Sequence, residues 1–215
     1  MYCFDFHHHH RLREGGIYNL SLWEEVPERF FSVGLHPREV SSASSEALDW
    51  VRTVAESPFC VALGESGLDA LVQTPLEVQR EAFLRQLAWA NELAKPVIVH
   101  CVRCYGEMPK FLGEAETPLV IHGFNRKAAI AEVLLKAGFY LSFGSAVLSN
   151  VSLQQTLQRI PLERFFLETD DRAVAIEAVY EKVAEIRGLS LAHLQEQIAE
   201  NLFRIGIPNV EKLKK

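Results

Sequence analysis

Short runs of β-branched and aromatic residues alternate along the chain with stretches whose apolar positions recur every three to four residues. That order is the pattern of a parallel α/β protein. Candidate strands occupy residues 2–7, 16–22, 30–35, 60–64, 97–100, 119–122, 140–143 and 165–168. Helical spacing is clearest at Phe83, Leu87, Ala90, Ala94, at Ile176, Val179, Val183, Ile186, and at Leu191, Leu194, Ile198, Leu202, Ile205. Weaker helices are expected over 45–56, 105–113, 127–137 and 151–159. Pro58, Pro96, Pro118 and Pro161 each fall just before a strand, where they stop the preceding helix without cost to the sheet. The pattern predicts a TIM-type (β/α)8 barrel in a single domain over 1–215, with one or more early helices missing or shortened. Between His10 and Phe30 lie only 19 residues, which hold the second strand and leave no room for a full helix before it. No repeat, linker or low-complexity stretch interrupts the pattern, and the closing EKLKK reads as a frayed, solvated end.

In such a barrel the chemistry sits at the carboxyl ends of the strands. The first strand ends in FHHHH, the fourth in LGES, the fifth in VIVHC, the sixth in LVIHGF and the eighth in FLETD. Five strand ends thus deliver His, Glu or Asp to one rim, and these are the side chains that hold divalent metals. The opening histidines follow a strand-like run and lack the length and polar linker of a purification tag, so they read as native. Alternation along a strand puts Asp5, His7 and His9 on one face and Phe4, Phe6 and His8 on the other. His7 and His9 can therefore chelate one ion together, and facing inward they would meet Glu65, His100, His122 and Asp170, enough ligands for two metals. His8 and His10 read as bystanders. A single strand-end histidine is more often a hydrogen-bonded rim residue than a ligand; six candidate ligands on one rim argue for a metal site.

Composition narrows the class. A hydrophobic content of 48% with 23% charged residues is that of a globular chain. A formal net charge of −6 argues against a broad nucleic-acid-binding surface, so a polyanion would have to be gripped locally, for instance through metal ions. No apolar run is long enough to span a membrane, no signal-peptide pattern opens the chain, and four cysteines do not make a disulfide framework. A cytoplasmic location is expected.

The series DFHHH, GLHP, GESGLD, QREAF, VIVHC, VIHGF, GFYLSFG, LETD and IAENLFRI, in this order over nearly the whole chain, resembles the TatD-type metal-dependent deoxyribonucleases of the amidohydrolase superfamily. The resemblance implies hydrolysis of phosphodiester bonds in DNA, often from the 3′ end, at a one- or two-metal site. It implies a first ion on His7, His9 and Asp170, a second on His100 and His122, and Glu65 bridging. A divalent ion lowers the pKa of water from 15.7 toward about 7, which makes a nucleophile available at neutral pH. Asp170 is placed to orient or deprotonate that water, and Glu65 to hold the two charges together. Glu168 and Asp5, two residues before ligands, are expected to support them, while His36 of GLHP is expected to contact substrate phosphate or stabilise a turn. Phe124 is expected to pack on a base or cap the core. His-and-carboxylate sets accept Zn, Mn, Ni and often Mg. The expected partner is DNA or a small phosphodiester, with no membrane and no obligatory protein partner.

The chain also departs from the family. After LETD the family has a proline-containing segment and a long basic loop, whereas DDRAVAIEAV runs almost directly into the next helix. Val102 and Arg126 stand where many members have Arg and Gly, and Ala70 replaces an aromatic. These changes leave open a hydrolase of a small ester or amide, or a catalytically silent metal-binding scaffold. Cys101 and Cys104 form a CxxC directly after a strand, the setting of a redox thiol pair, against the plainer reading that both pack. GESG is not the GxSxG elbow of a serine hydrolase.

Overall fold

The structure, a computed structural model, describes residues 2–41 and 43–208; the closing EKLKK lies outside the described residues. Eight parallel strands pair in sequence order, from β1 (Asp5–His8), β2 (Gly16–Leu20), β3 (Phe31–Val33) and β4 (Cys60–Asp69) to β5 (Val97–Val102), β6 (Leu119–Ile121), β7 (Tyr140–Phe143) and β8 (Phe165–Leu167). Every strand expected from the pattern is present, β7 with the expected bounds and the others shifted at one or both ends. The helices α1 (Ser45–Val54), α2 (Leu76–Leu93), α3 (Ala128–Ala137), α4 (Val151–Leu157), α5 (Ile176–Arg187) and α6 (Leu191–Arg204) lie in the connections and at the carboxyl end. Residues 105–113, expected as a helix, form only a short 3-10 turn at Met108–Gly113, where Pro109 follows its first residue.

The sheet nearly closes on itself through a single bridge, His8 with Asp170. There the Asp170 amide donates to the His7 carbonyl (3.0 Å) and the His9 amide to the Asp170 carbonyl (3.2 Å). Strands buried on both faces carry near-continuous apolar runs, such as Val97, Ile98 and Val99, all fully buried.

The connections 9–15 and 21–30 contain no helix, as the short spacing predicts. Extended, residues 9–15 reach about 23 Å, while β1 is only about 13 Å long, so a bare loop suffices to return the chain. Residues 21–30 replace the missing helix with a polar cover. The Arg29 guanidinium lies 5.2 Å from the Tyr18 ring centre, and the Tyr18 hydroxyl donates to Glu24 at 2.7 Å. Arg11 adds ion pairs to Glu24 and Glu25.

Three irregularities modify the alternation, one of them where β4 advances from Cys60 to Ala62 while β3 advances only from Phe31 to Ser32. Between Leu63 and Ser66, β4 advances three residues while β5 advances two, and between Asp5 and His8, β1 does the same against β2. Glycine is required beside the bulge between Leu63 and Ser66. A Cβ at Gly64 would stand 2.3 Å from the Ile98 carbonyl oxygen, and one at Gly67 2.1 Å from that of His100.

Candidate metal centre

The bulge of β4 against β5 re-aims the residue it carries. Glu65 turns into the mouth of the barrel and divides its two oxygens between two groups of side chains. Oε2 lies 3.6 Å from His7 Nε2 and 3.5 Å from His9 Nε2. Oε1 lies 2.6 Å from His100 Nδ1 and 2.8 Å from His122 Nε2. Asp170 Oδ1 approaches the first group, at 3.7 Å from His7 Nε2 and 3.4 Å from His9 Nε2. The backbone of Asp170, three residues past the end of β8, takes φ +55°, a left-handed conformation that aspartate tolerates. The structure thus brings together all six expected ligands, contributed by β1, β4, β5, the ends of β6 and β8, and the turn after β1.

The donor set fits a cation. Both ring nitrogens of His7 are buried with no hydrogen-bond partner. Its Nε2 stands just beyond hydrogen-bond reach of two carboxylates, an arrangement costly for a buried polar group on its own. Ligand atoms about 2.1 Å from a tetrahedrally bound ion lie about 3.4 Å from one another, which is the spacing seen among His7, His9, Glu65 and Asp170. Donor atoms of His7, His9 and Asp170 lie within 4.8 Å of each other, as do those of His7, Glu65 and His122 and those of His36, Glu65 and His100.

Electrostatics hold the carboxylates ionised. Burial pushes Asp170 up, but His9, His122 and His7 outweigh it and draw its pKa down to about 2. Glu65 falls well below the usual range for the same reason, with burial overcome chiefly by His122 and His100. The imidazoles respond in the opposite sense. Burial disfavours charge on His9, yet Asp170 and Glu65 raise it to about 9, and Glu65 and Glu168 raise His122 well above its ordinary value despite its burial. The pocket is therefore a concentration of negative charge that calls for cations.

The residues behind this cluster are only partly those expected. Glu168, fully buried, accepts the Gly123 amide at 2.7 Å and lies 3.5 Å from His122 Nδ1. Asp5 is also fully buried, but it does not share the face of His7 as strict alternation predicts. Across the β1 bulge it accepts the Thr169 amide (2.9 Å), the Thr169 hydroxyl (2.6 Å) and Arg13 (2.5 Å), bracing the segment that leads into Asp170. Asp69 was missed by the sequence reading. Its Oδ2 lies 3.1 Å from His100 Nε2, while its Oδ1 accepts the Leu71 amide at 2.8 Å. Its signal was present in GESGLD, four residues after Glu65 on the same strand.

His36 reaches the centre, with Nε2 3.7 Å from Glu65 Oε1 and its ring 4.4 Å from that of His100. Phe124 does not reach it. The ring is 1% exposed and packs edge-on to Phe143 and Tyr105, so it caps the core and presents no face to a base. His8 is buried beside Tyr18 with its Nδ1 accepting the His10 amide, and His10 Nε2 bonds the Arg172 carbonyl; both stay out of the cluster. Cys101 and Cys104 are buried free thiols, and burial raises both, Cys101 to about 12, the reverse of an activated redox pair.

A parallel barrel with a histidine–carboxylate cluster where its strands end has the layout of a metal-dependent hydrolase. The profile of the TatD related DNase family matches residues 15–205, and the chain belongs to that family of metal-dependent hydrolases. His7 and His9 lie just before the matched stretch. The chain is 27% identical over 87% of its length to the uncharacterized metal-dependent hydrolase YabD of Bacillus subtilis, spanning 82% of that protein. It is 32% identical over 79% of its length to the 3′-5′ ssDNA/RNA exonuclease TatD of Cronobacter turicensis, spanning 68% of it. The crystal structure of the TatD homologue YJJV from Escherichia coli superposes with a TM-score of 0.72 at 23% identity, over 82% of this chain and 76% of that one, and shares the fold. No described helix is long and apolar enough to cross a membrane.

Proposed function

We propose that the chain hydrolyses phosphodiester bonds, in DNA or in a small phosphodiester, with one divalent ion held by His7, His9 and Asp170, a second by His100 and His122, and Glu65 shared between them. The observation that carries this reading is the division of Glu65, with Oε2 toward His7 and His9 and Oε1 toward His100 and His122. Zn, Mn, Mg or Ni suits such donors, and an ion there lowers the pKa of water and offsets charge on phosphoryl oxygens. Asp170 is the most open carboxylate of the cluster and stays ionised, so it serves as the acceptor for the proton of the attacking water. Glu65, almost fully buried, has no such access and serves to space the two groups of histidines.

A polyanion also finds charge around the mouth. Arg38, Arg103, Arg126 and Arg172 follow β3, β5, β6 and β8 on the side where the strands end, and all are exposed. They stand in for the long basic loop that this chain lacks. Four buried, unpaired cysteines suit a reducing compartment, and we place the enzyme in the cytoplasm.

The test is a substrate panel with protein stripped by chelator and reloaded with each metal in turn. Cleavage of single-stranded DNA and of bis(p-nitrophenyl) phosphate is expected. Cleavage of carboxylic esters or amides with no action on either diester would overturn the proposal in favour of a non-nucleolytic hydrolase, and metal binding without any hydrolysis would leave a scaffold.

A further inference from the structure

Three imidazoles surround Oε1 of Glu65, and the geometry sets His36 apart from His100 and His122 by what its far nitrogen meets. A neutral imidazole has one N–H and one lone pair, and the partner of one nitrogen fixes the character of the other. Both nitrogens of His100 face carboxylates, Nε2 that of Asp69 at 3.1 Å and Nδ1 that of Glu65 at 2.6 Å, so with Asp69 taking the Nε2 proton it is Nδ1 that an ion shared with Glu65 would use. His36 is arranged the other way round. Its Nδ1 accepts the Arg38 amide at 3.1 Å, so its proton is on Nε2, the atom that faces the cluster.

The local sequence enforces this arrangement. His36-Pro37-Arg38-Glu39 forms a turn with proline at its second position, in which the Glu39 amide donates to the His36 carbonyl at 2.8 Å and the Glu39 carboxylate accepts the His36 amide at 3.2 Å. The imidazole is thereby folded back over the Arg38 N–H. Nε2, at 3.7 Å from Glu65 Oε1, is beyond hydrogen-bond reach of it, and the side chain is 20% exposed. The result is a donor held at the metal pocket, open to an entering ligand.

We propose that His36 is not a metal ligand but a substrate-positioning N–H donor that binds a phosphoryl oxygen through Nε2. The inference rests on the phosphodiesterase reading above and adds to it the identity of the donor and its protonation state.

Nitrogen-15 NMR of the histidine rings during zinc titration, together with calorimetry using zinc, inorganic phosphate and thymidine 5′-monophosphate, tests it. His36 should show a bare Nδ1 and a protonated Nε2 before and after zinc, while the His100 Nδ1 signal moves as zinc binds. The His36→Ala variant should keep the wild-type zinc stoichiometry and bind both phosphate probes about tenfold to a hundredfold more weakly, the range of a hydrogen bond to a charged group. His36→Gln, which retains an N–H near the same place, should recover most of that affinity. A protonated Nδ1 on His36, loss of a zinc equivalent in His36→Ala, or unchanged phosphate affinity in a folded His36→Ala would each overturn the inference while wild-type diesterase activity stands. Zinc-loaded wild-type protein that neither binds phosphate nor cleaves a diester would overturn the reading beneath it as well.

Discussion

His9 and Asp170 are joined twice. The His9 amide donates to the Asp170 carbonyl at 3.2 Å, and 3.4 Å separates His9 Nε2 from Asp170 Oδ1. The first contact belongs to the seam that closes the barrel and the second to the metal cluster, so the site and the seam are one piece of structure.

Metal binding should therefore tighten the seam. At a free zinc concentration about a hundred times the dissociation constant, linkage adds about 2.7 kcal/mol, which for a chain of this size raises the melting temperature by roughly 5–10 °C. Hydrogen exchange should slow most at the amides of His9 and Asp170. A melting temperature indifferent to zinc and chelator would contradict the coupling.

Removing one ligand should abolish chemistry, whereas removing a thiol should not. His100→Ala is expected to lower kcat/KM for bis(p-nitrophenyl) phosphate by at least about a hundredfold, since even partners behind a ligand are worth about 10–100-fold. Cys104→Ser should leave the rate within about twofold at a modest loss of stability, because its buried sulfur does no chemistry. The opposite pair of results would restore the CxxC reading.

Asp69 acts through His100. Asp69→Ala should weaken zinc binding about 10–100-fold, measured by competition with a chelating dye, with far-ultraviolet circular dichroism unchanged. Asp69→Asn, whose amide oxygen still accepts from Nε2, should lose less.

The rim arginines discriminate by substrate length. Arg103→Ala is expected to raise KM for a single-stranded oligonucleotide several-fold and flatten its salt dependence, while leaving kinetics on the small diester unchanged. An equal effect on both substrates would place Arg103 at the reacting group and not on the path of the strand.

Gly67 keeps β4 close to β5. Gly67→Ala forces a Cβ to 2.1 Å from the His100 carbonyl oxygen at a φ of +147°, and a stability loss of about 2–4 kcal/mol is expected in urea denaturation, with impaired metal binding because His100 is displaced.

Much of this was legible from residue order alone. Apolar runs between helical stretches marked all eight strands, proline placed the starts of four of them, and strand ends put His7, His9, Glu65, His100, His122 and Asp170 on one rim, because a parallel barrel sends every strand end the same way. The spacing before Phe30 also announced the missing helices. What the tertiary structure alone decided were directions and partners. Period-two alternation carries no mark of an inserted residue, so the bulges that turn Glu65 between two groups of histidines and separate Asp5 from His7 were invisible in it. Phe124 could equally have lined the mouth or the core until Tyr105 and Phe143 closed over it. Protonation of the imidazoles was beyond any reading of the chain, since it is set by what each far nitrogen meets: a carboxylate 31 positions away for His100, and for His36 a neighbouring amide that only the folded turn presents.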